Sequence, residues 1–128
     1  MATVKVRYIV HDVDEAIQFY TEKLAFDVIM HPAPAFAIIA RGDLQLLLSS
    51  PGTEGGGGQS MPDGTRPSPG GWNRFHLEVE DLETMVDRLK KDGVTFRNDI
   101  VSGVAGKQIL LEDPSGNPIE LFEYYQKQ

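Results

Sequence analysis

Glu120 stands in an otherwise apolar run, with Ile119 and Leu121 on either side and Phe122 after them. A carboxylate in such a segment either faces solvent or belongs to a site. A second group of chemically useful residues surrounds Phe75, Leu77 and Val79: Arg74, His76 and Glu78 alternate with them. A third lies near the start of the chain, where Lys5 and Arg7 interleave with Val4, Val6, Tyr8 and Val10. Arg suits bidentate recognition of carboxylate or phosphate, and an imidazole can act as acid or base near neutrality. From alternation alone the simpler reading is solvation, because charges on the wet face of a half-buried sheet need no further role.

These residues require strands to carry them. Residues 4–10 read as a strand by period-two alternation. Asp12 then caps a helix, with Glu15 at the capping-box position. Val13, Ala16, Ile17, Tyr20 and Leu24 follow at helical spacing, and the helix ends near Lys23. Residues 26–31, 35–41 and 44–49 read as three strands, broken by Pro32 and Pro34 and by Arg41-Gly42-Asp43. After a long Gly/Pro-rich stretch, Asp81 caps a second helix carrying Leu82, Met85, Val86 and Leu89, which Gly93 terminates. Residues 94–101, 106–112 and 118–124 then read as strands, the last two joined by Asp113-Pro114-Ser115-Gly116. That sequence suits a type I turn, with Asp first, Pro second and Gly fourth.

A shift of 69 residues overlays Val6 on Phe75, Tyr8 on Leu77, Val10 on Val79 and Asp12 on Asp81. It also overlays Val13, Ala16, Ile17 and Tyr20 on Leu82, Met85, Val86 and Leu89. Caps and apolar faces coincide, so the chain contains an internal repeat of strand–helix–strand–strand–strand.

Composition bounds the function. The chain has 128 residues, the size of one domain, and a formal net charge of −7. That charge, with no run of Lys and Arg, disfavours nucleic acid. Cysteine is absent, which excludes disulfides and thiol chemistry. The charged N-terminal residues do not suit a signal peptide, and no apolar run has the length of a membrane span. The expectation is a cytoplasmic protein with no membrane partner.

Residues 51–71 are dominated by glycine and proline and divide the two halves. Their four consecutive glycines are not a phosphate loop, since no Gly-Lys-Ser/Thr follows. A connection is preferred over a mobile lid. Trp72, at the loop's exit, suits either stacking on a ligand or anchoring the chain. His11 and His31, near strand ends, read as surface residues.

The duplication, together with Tyr8 to Tyr20, His76 to Glu83 and the hairpin Asp113-Pro114-Ser115-Gly116-Asn117-Pro118-Ile119-Glu120-Leu121, resembles the vicinal oxygen chelate superfamily. That group includes glyoxalase I, bleomycin-resistance proteins, fosfomycin-resistance enzymes and extradiol dioxygenases. The resemblance implies an α+β fold. Two βαβββ modules, residues 1–50 and 72–128, form curved mixed sheets around a cleft in a single domain spanning residues 1–128. Many members are dimers, so a homodimer is expected.

The family's metalloenzymes draw up to four ligands from the first and last strands of each module. The resemblance puts Lys5, Leu46 and Arg74 at three of these positions and Glu120 at the fourth. Had the register slipped by one, Leu47 would offer no donor either, whereas Gln45 would. Lysine and arginine stay protonated and leucine has no donor, so no metal or other cofactor is expected. Lys5, Arg74 and Glu120 are instead expected to converge, with Arg7, His76 and Glu78 on the same side.

The implied function is binding of a small organic molecule, with an anionic group favoured because Lys5, Arg7 and Arg74 outnumber Glu78 and Glu120. Ile9, Leu46 and Phe122 are expected to meet its apolar parts, and Trp72 is a further candidate contact. The alternative is a glyoxalase-like lyase or isomerase, or a dioxygenase-type enzyme, metal-free or with an atypical metal site, in which His76 and Glu120 act as the catalytic pair.

Overall fold

The computed structural model describes residues 4–52 and 57–126. Two compact units divide the chain, Met1–Gly70 and Gly71–Gln128. Each contains strand, helix and three further strands, in that order.

In the first unit, β1 (Val4–Ile9) leads to α1 (Val13–Leu24), then β2 (Asp27–Ala33), β3 (Phe36–Arg41) and β4 (Leu44–Ser49). The sheet order is β1-β4-β3-β2, with β1 parallel to β4 and the other pairs antiparallel. Asp12 caps α1 by accepting the Glu15 N–H at 3.1 Å. The helix buries Val13, Ala16, Phe19, Tyr20 and Leu24. Phe19 belongs to that face and Ile17 is only half-buried, a modest rotation from the expected stripe. The helix packs against β2, β3 and β4, and Tyr20 meets Phe26 edge-on, ring centroids 5.3 Å apart.

Pro32 does not end β2. The strand continues to Ala33, exposed along its whole length, with register irregularities between Val28 and Met30 and between Met30 and Ala33. As the outermost strand it needs no outward N–H donor, which is where proline is tolerated in a sheet.

In the second unit the elements are β5 (Phe75–Glu78), α2 (Leu82–Lys91), β6 (Val101–Ser102), β7 (Gly106–Glu112) and β8 (Pro118–Tyr124). The order β5-β8-β7-β6 repeats that of the first unit, with β5 parallel to β8. Residues 94–101 do not form the expected strand. Only Phe96 bridges β7, at Leu111, before the two-residue β6. The reason is local: the Leu110 N–H is taken at 2.9 Å by the side-chain oxygen of Asn98, displacing a backbone acceptor.

Two acceptors serve the start of α2. Asp81 accepts the Thr84 N–H at 3.1 Å, and Glu123 of β8 accepts the Leu82 N–H at 2.8 Å. Leu82, Val86 and Leu89 are buried on its inner face.

The β7–β8 connection is a self-contained turn. Gly116 N–H donates to Asp113 O at 2.9 Å, closing the i to i+3 bond. One Asp113 oxygen accepts the Ser115 and Asn117 N–H groups at 2.8 and 3.0 Å, and the other accepts the Asn117 side-chain amide at 3.0 Å.

The first unit extends past β4 because the segment after it folds back. Gly52 N–H donates to Gly58 O at 2.8 Å. Gly57 lies against the Arg7 guanidinium and Gly58 against the Ser50 carbonyl, so a Cβ at either would collide. Residues 53–56 of the expected loop lie outside the described residues.

Candidate functional site

In the second sheet, Phe75, Leu77, Ile109, Leu111, Ile119 and Leu121 are buried on the side that meets α2. Alternation sends their neighbours to the opposite face. The strand register pairs His76 with Glu120, Glu78 with Phe122 and Leu110 with Glu120.

On that face Glu120 is the anchor. Arg74 Nε lies 3.0 Å from its Oε1 and His76 Nδ1 lies 3.2 Å from its Oε2. The Glu120 side chain keeps 12% of its surface exposed, against 30% for Arg74 and 39% for His76. The carboxylate is therefore largely enclosed while both partners stay reachable. Arg74 Nη1 also donates to Trp72 O at 3.2 Å.

Aromatic rings continue the face. His76 stacks on Phe122 with centroids 4.9 Å apart and planes 24° from parallel. Phe122 and Tyr124 are 4.5 Å apart, and His76 and Tyr124 6.1 Å. Tyr124 was not singled out by sequence, although it follows Glu120 and Phe122 at the same two-residue spacing.

Arg97 is the other residue that sequence reasoning missed. Its Nε lies 2.8 Å from Glu112 Oε2, Nη1 donates to Gly71 O at 2.7 Å and Nη2 to Gly116 O at 2.9 Å. Its guanidinium carbon lies 4.8 Å from the centroid of Trp72. No motif marks it, because its partners are mostly backbone carbonyls.

The structure thus brings together Trp72, Arg74, His76, Glu120 and Phe122. Glu78 is exposed on the same face, beside Phe122 in the register. Lys5 and Arg7 belong to the first unit, exposed on the face they share with Gln45 and Ser49. There Arg7 Nη1 donates to Ser49 Oγ at 3.0 Å. Leu46 is a correction. It pairs with Val6 and Ile39 and is fully buried, on the side that packs beneath α1. The residue beside Lys5 is Gln45. A one-residue slip exchanges the two faces of a strand.

A family model described as the Glyoxalase/Bleomycin resistance protein/Dioxygenase superfamily matches residues 3–121. The chain belongs to this superfamily. No curated protein matches it. Solved structures agree on the superfamily fold. A member from Sphaerobacter thermophilus DSM 20745 superposes with a TM-score of 0.76 at 24% identity, over 96% of this chain and 97% of that one. A lactoylglutathione lyase from Agrobacterium tumefaciens gives 0.73 at 18% identity, over 95% and 92%. TnmS3, an antibiotic-binding protein from Streptomyces sp. CB03234, gives 0.71 at 24% identity, over 97% of each chain.

The donor set does not fit the metal that superfamily metalloenzymes hold. Glu120 already has one oxygen on a guanidinium and the other on an imidazole. Lys5 and Arg74 are cations, and an amide such as Gln45 is a weak ligand for transition metals. Among the described residues no three His, Cys, Asp or Glu side chains gather as a metal site. Among those residues, too, no helix is long and apolar enough to cross a membrane.

Proposed function

We propose that this chain is a small-molecule-binding member of its superfamily that works without the superfamily's metal, and that Arg74, His76, Glu120 and Phe122 meet the ligand. The observation that carries this reading is the contact of Arg74 Nε with Glu120 at 3.0 Å. The carboxylate that the superfamily's metalloenzymes would offer to a metal is held here by a guanidinium, so the site presents fixed charge and hydrogen-bonding groups. The aromatic ladder beside it offers apolar contact, the composition expected of a binding site.

The ligand is an organic molecule carrying an anionic group. The cation on this face is Arg74, whose side chain stays 30% exposed beside Glu120. The protein acts as a homodimer, to which the exposed Val28, Ile29 and Met30 of β2 supply apolar surface. A calorimetric screen of organic acids and their neutral amides tests the binding reading. Acids are expected to bind, and Phe122→Ala to weaken them. A screen in which no small molecule binds overturns it.

The pairing of His76 Nδ1 with Glu120 favours a second reading, metal-free acid–base catalysis. A carboxylate on one ring nitrogen fixes the tautomer and leaves the other to exchange a proton with substrate. Turnover of a bound ligand that is lost in both His76→Ala and Glu120→Gln would establish it.

A further inference from the structure

We propose that Trp72, held in place by Arg97, is a rigid stacking face for a flat aromatic part of the ligand, with Arg97 as its positioning residue. This deepens the binding reading above and rests on it, adding the ligand's chemical class.

Trp72 is 70% exposed, the most open aromatic side chain among the exposed large hydrophobics of the described residues. Yet it is not loosely attached. Arg97 covers one face of the indole, and all three guanidinium nitrogens are fixed by Glu112, Gly71 O and Gly116 O. The Arg97 side chain is only 16% exposed, so this clamp is built into the unit. The backbone is fixed as well. Gly70 and Gly71 have φ of +109° and +89°, which side-chain-bearing residues rarely adopt, and they deliver the chain to Trp72 through a defined turn. The Trp72 carbonyl accepts from Arg74, which links the indole to the Glu120 pair.

Simple fastening of the loop exit would need the backbone contact of Arg97 with Gly71. It would not need a large ring standing in water. One covered face and one open face make a preorganised surface, and stacking on it costs little ordering. The open face suits a planar π system, because offset stacking favours flat partners over saturated ones.

The test uses the full chain with naphthalene-2-carboxylate and its saturated analogue decahydronaphthalene-2-carboxylate, which has the same charge and no π face. Trp72 is the sole tryptophan, so acrylamide quenching reports on this indole alone. The aromatic acid is expected to bind about five- to tenfold more tightly by calorimetry, the scale of one stacked aromatic pair. It should also shield the indole from acrylamide. Trp72→Leu, an exposed substitution, should abolish that preference. Arg97→Gln should lower the tryptophan fluorescence anisotropy and reduce the preference while the indole remains.

Equal affinity for the two acids, an unshielded indole, or a preference that survives Trp72→Leu overturns the stacking face and leaves the binding reading standing. Binding of neither acid also overturns it, whereas the binding reading falls only if the wider acid and amide screen finds nothing.

Discussion

Arg74 has two obligations, to Glu120 and to the Trp72 carbonyl, and both lie within its own unit. Removing its side chain leaves a mostly enclosed carboxylate with His76 alone. Arg74→Ala should therefore lower stability by about 1–3 kcal/mol, the cost of leaving a buried acceptor short of a partner. It should also weaken an anionic ligand by about 1.5–3 kcal/mol, the scale of a hydrogen bond to a charged group, and spare its neutral analogue. Calorimetric titration of matched acid and amide checks this. An equal loss for the two ligands would confine Arg74 to its pairing with Glu120. Leu46 makes the complementary case. As a core residue, Leu46→Ala should cost about 2–5 kcal/mol in chemical denaturation and leave the ratio of acid to amide affinity unchanged. The shared face of Arg74, His76 and Glu120 was legible because alternation and one carboxylate in an apolar strand are local signals. Leu46 was misplaced because nothing local fixes the register of β4 against β1. The pairing of Lys5 with Gln45 is set by a parallel partner distant in sequence.

Caps and turns were the most legible elements, since each is written in a few adjacent residues. Asp12, Asp81 and the Asp113 turn all appear as read. β6 was not, because the Asn98 side chain takes the place of a backbone partner. The end of α1 carries a cost that can be measured. Ala25 has φ of 59°, the left-handed conformation that suits glycine, and Phe26 N–H closes the helix onto Tyr20 O at 3.1 Å. Ala25→Gly should stabilise the protein by up to about 1 kcal/mol, as relief of the left-handed strain outweighs glycine's greater unfolded freedom. A lower melting temperature would contradict this. The cap of α2 gives a pH dependence. The Thr84 N–H and hydroxyl hold the Asp81 carboxyl below the usual aspartate value. A depressed pKa contributes stability above the unfolded value, and that contribution is lost as pH falls through the folded value. The melting temperatures of wild type and Asp81→Ala should therefore differ at neutral pH and converge as pH falls below about 4.

At the scale of the whole molecule, purified protein should carry no stoichiometric zinc, nickel, iron or manganese, and should show no glutathione-dependent glyoxalase activity. Elemental analysis finding about one metal per chain, lost in Glu120→Ala, would overturn this. Sedimentation equilibrium should find a dimer at micromolar concentration, and a monomer there would remove the dimer proposal. The repeat of strand–helix–strand–strand–strand was legible because caps and apolar stripes recur at one offset, and both units carry it. The extent of the first unit, to Gly70, was not. It depends on Gly57 and Gly58 packing against Arg7 and Ser50, contacts that a glycine-rich composition does not announce.

The strand order β5-β8-β7-β6 also sets when the site can exist. β8 is inserted between β5 and β7, yet it follows both in the chain, and the Arg74–Glu120 contact spans 46 residues. During synthesis β5 therefore waits without its neighbour while α2, β6 and β7 are made, whereas β7 can zip to β8 through the short Asp113 turn. Released chains truncated after Asn117 should expose Phe75 and Leu77 and bind chaperones, and released chains that end at Tyr124 should not. The Arg74–Glu120 contact is then a late event of folding, made when the parallel pairing of β5 and β8 closes.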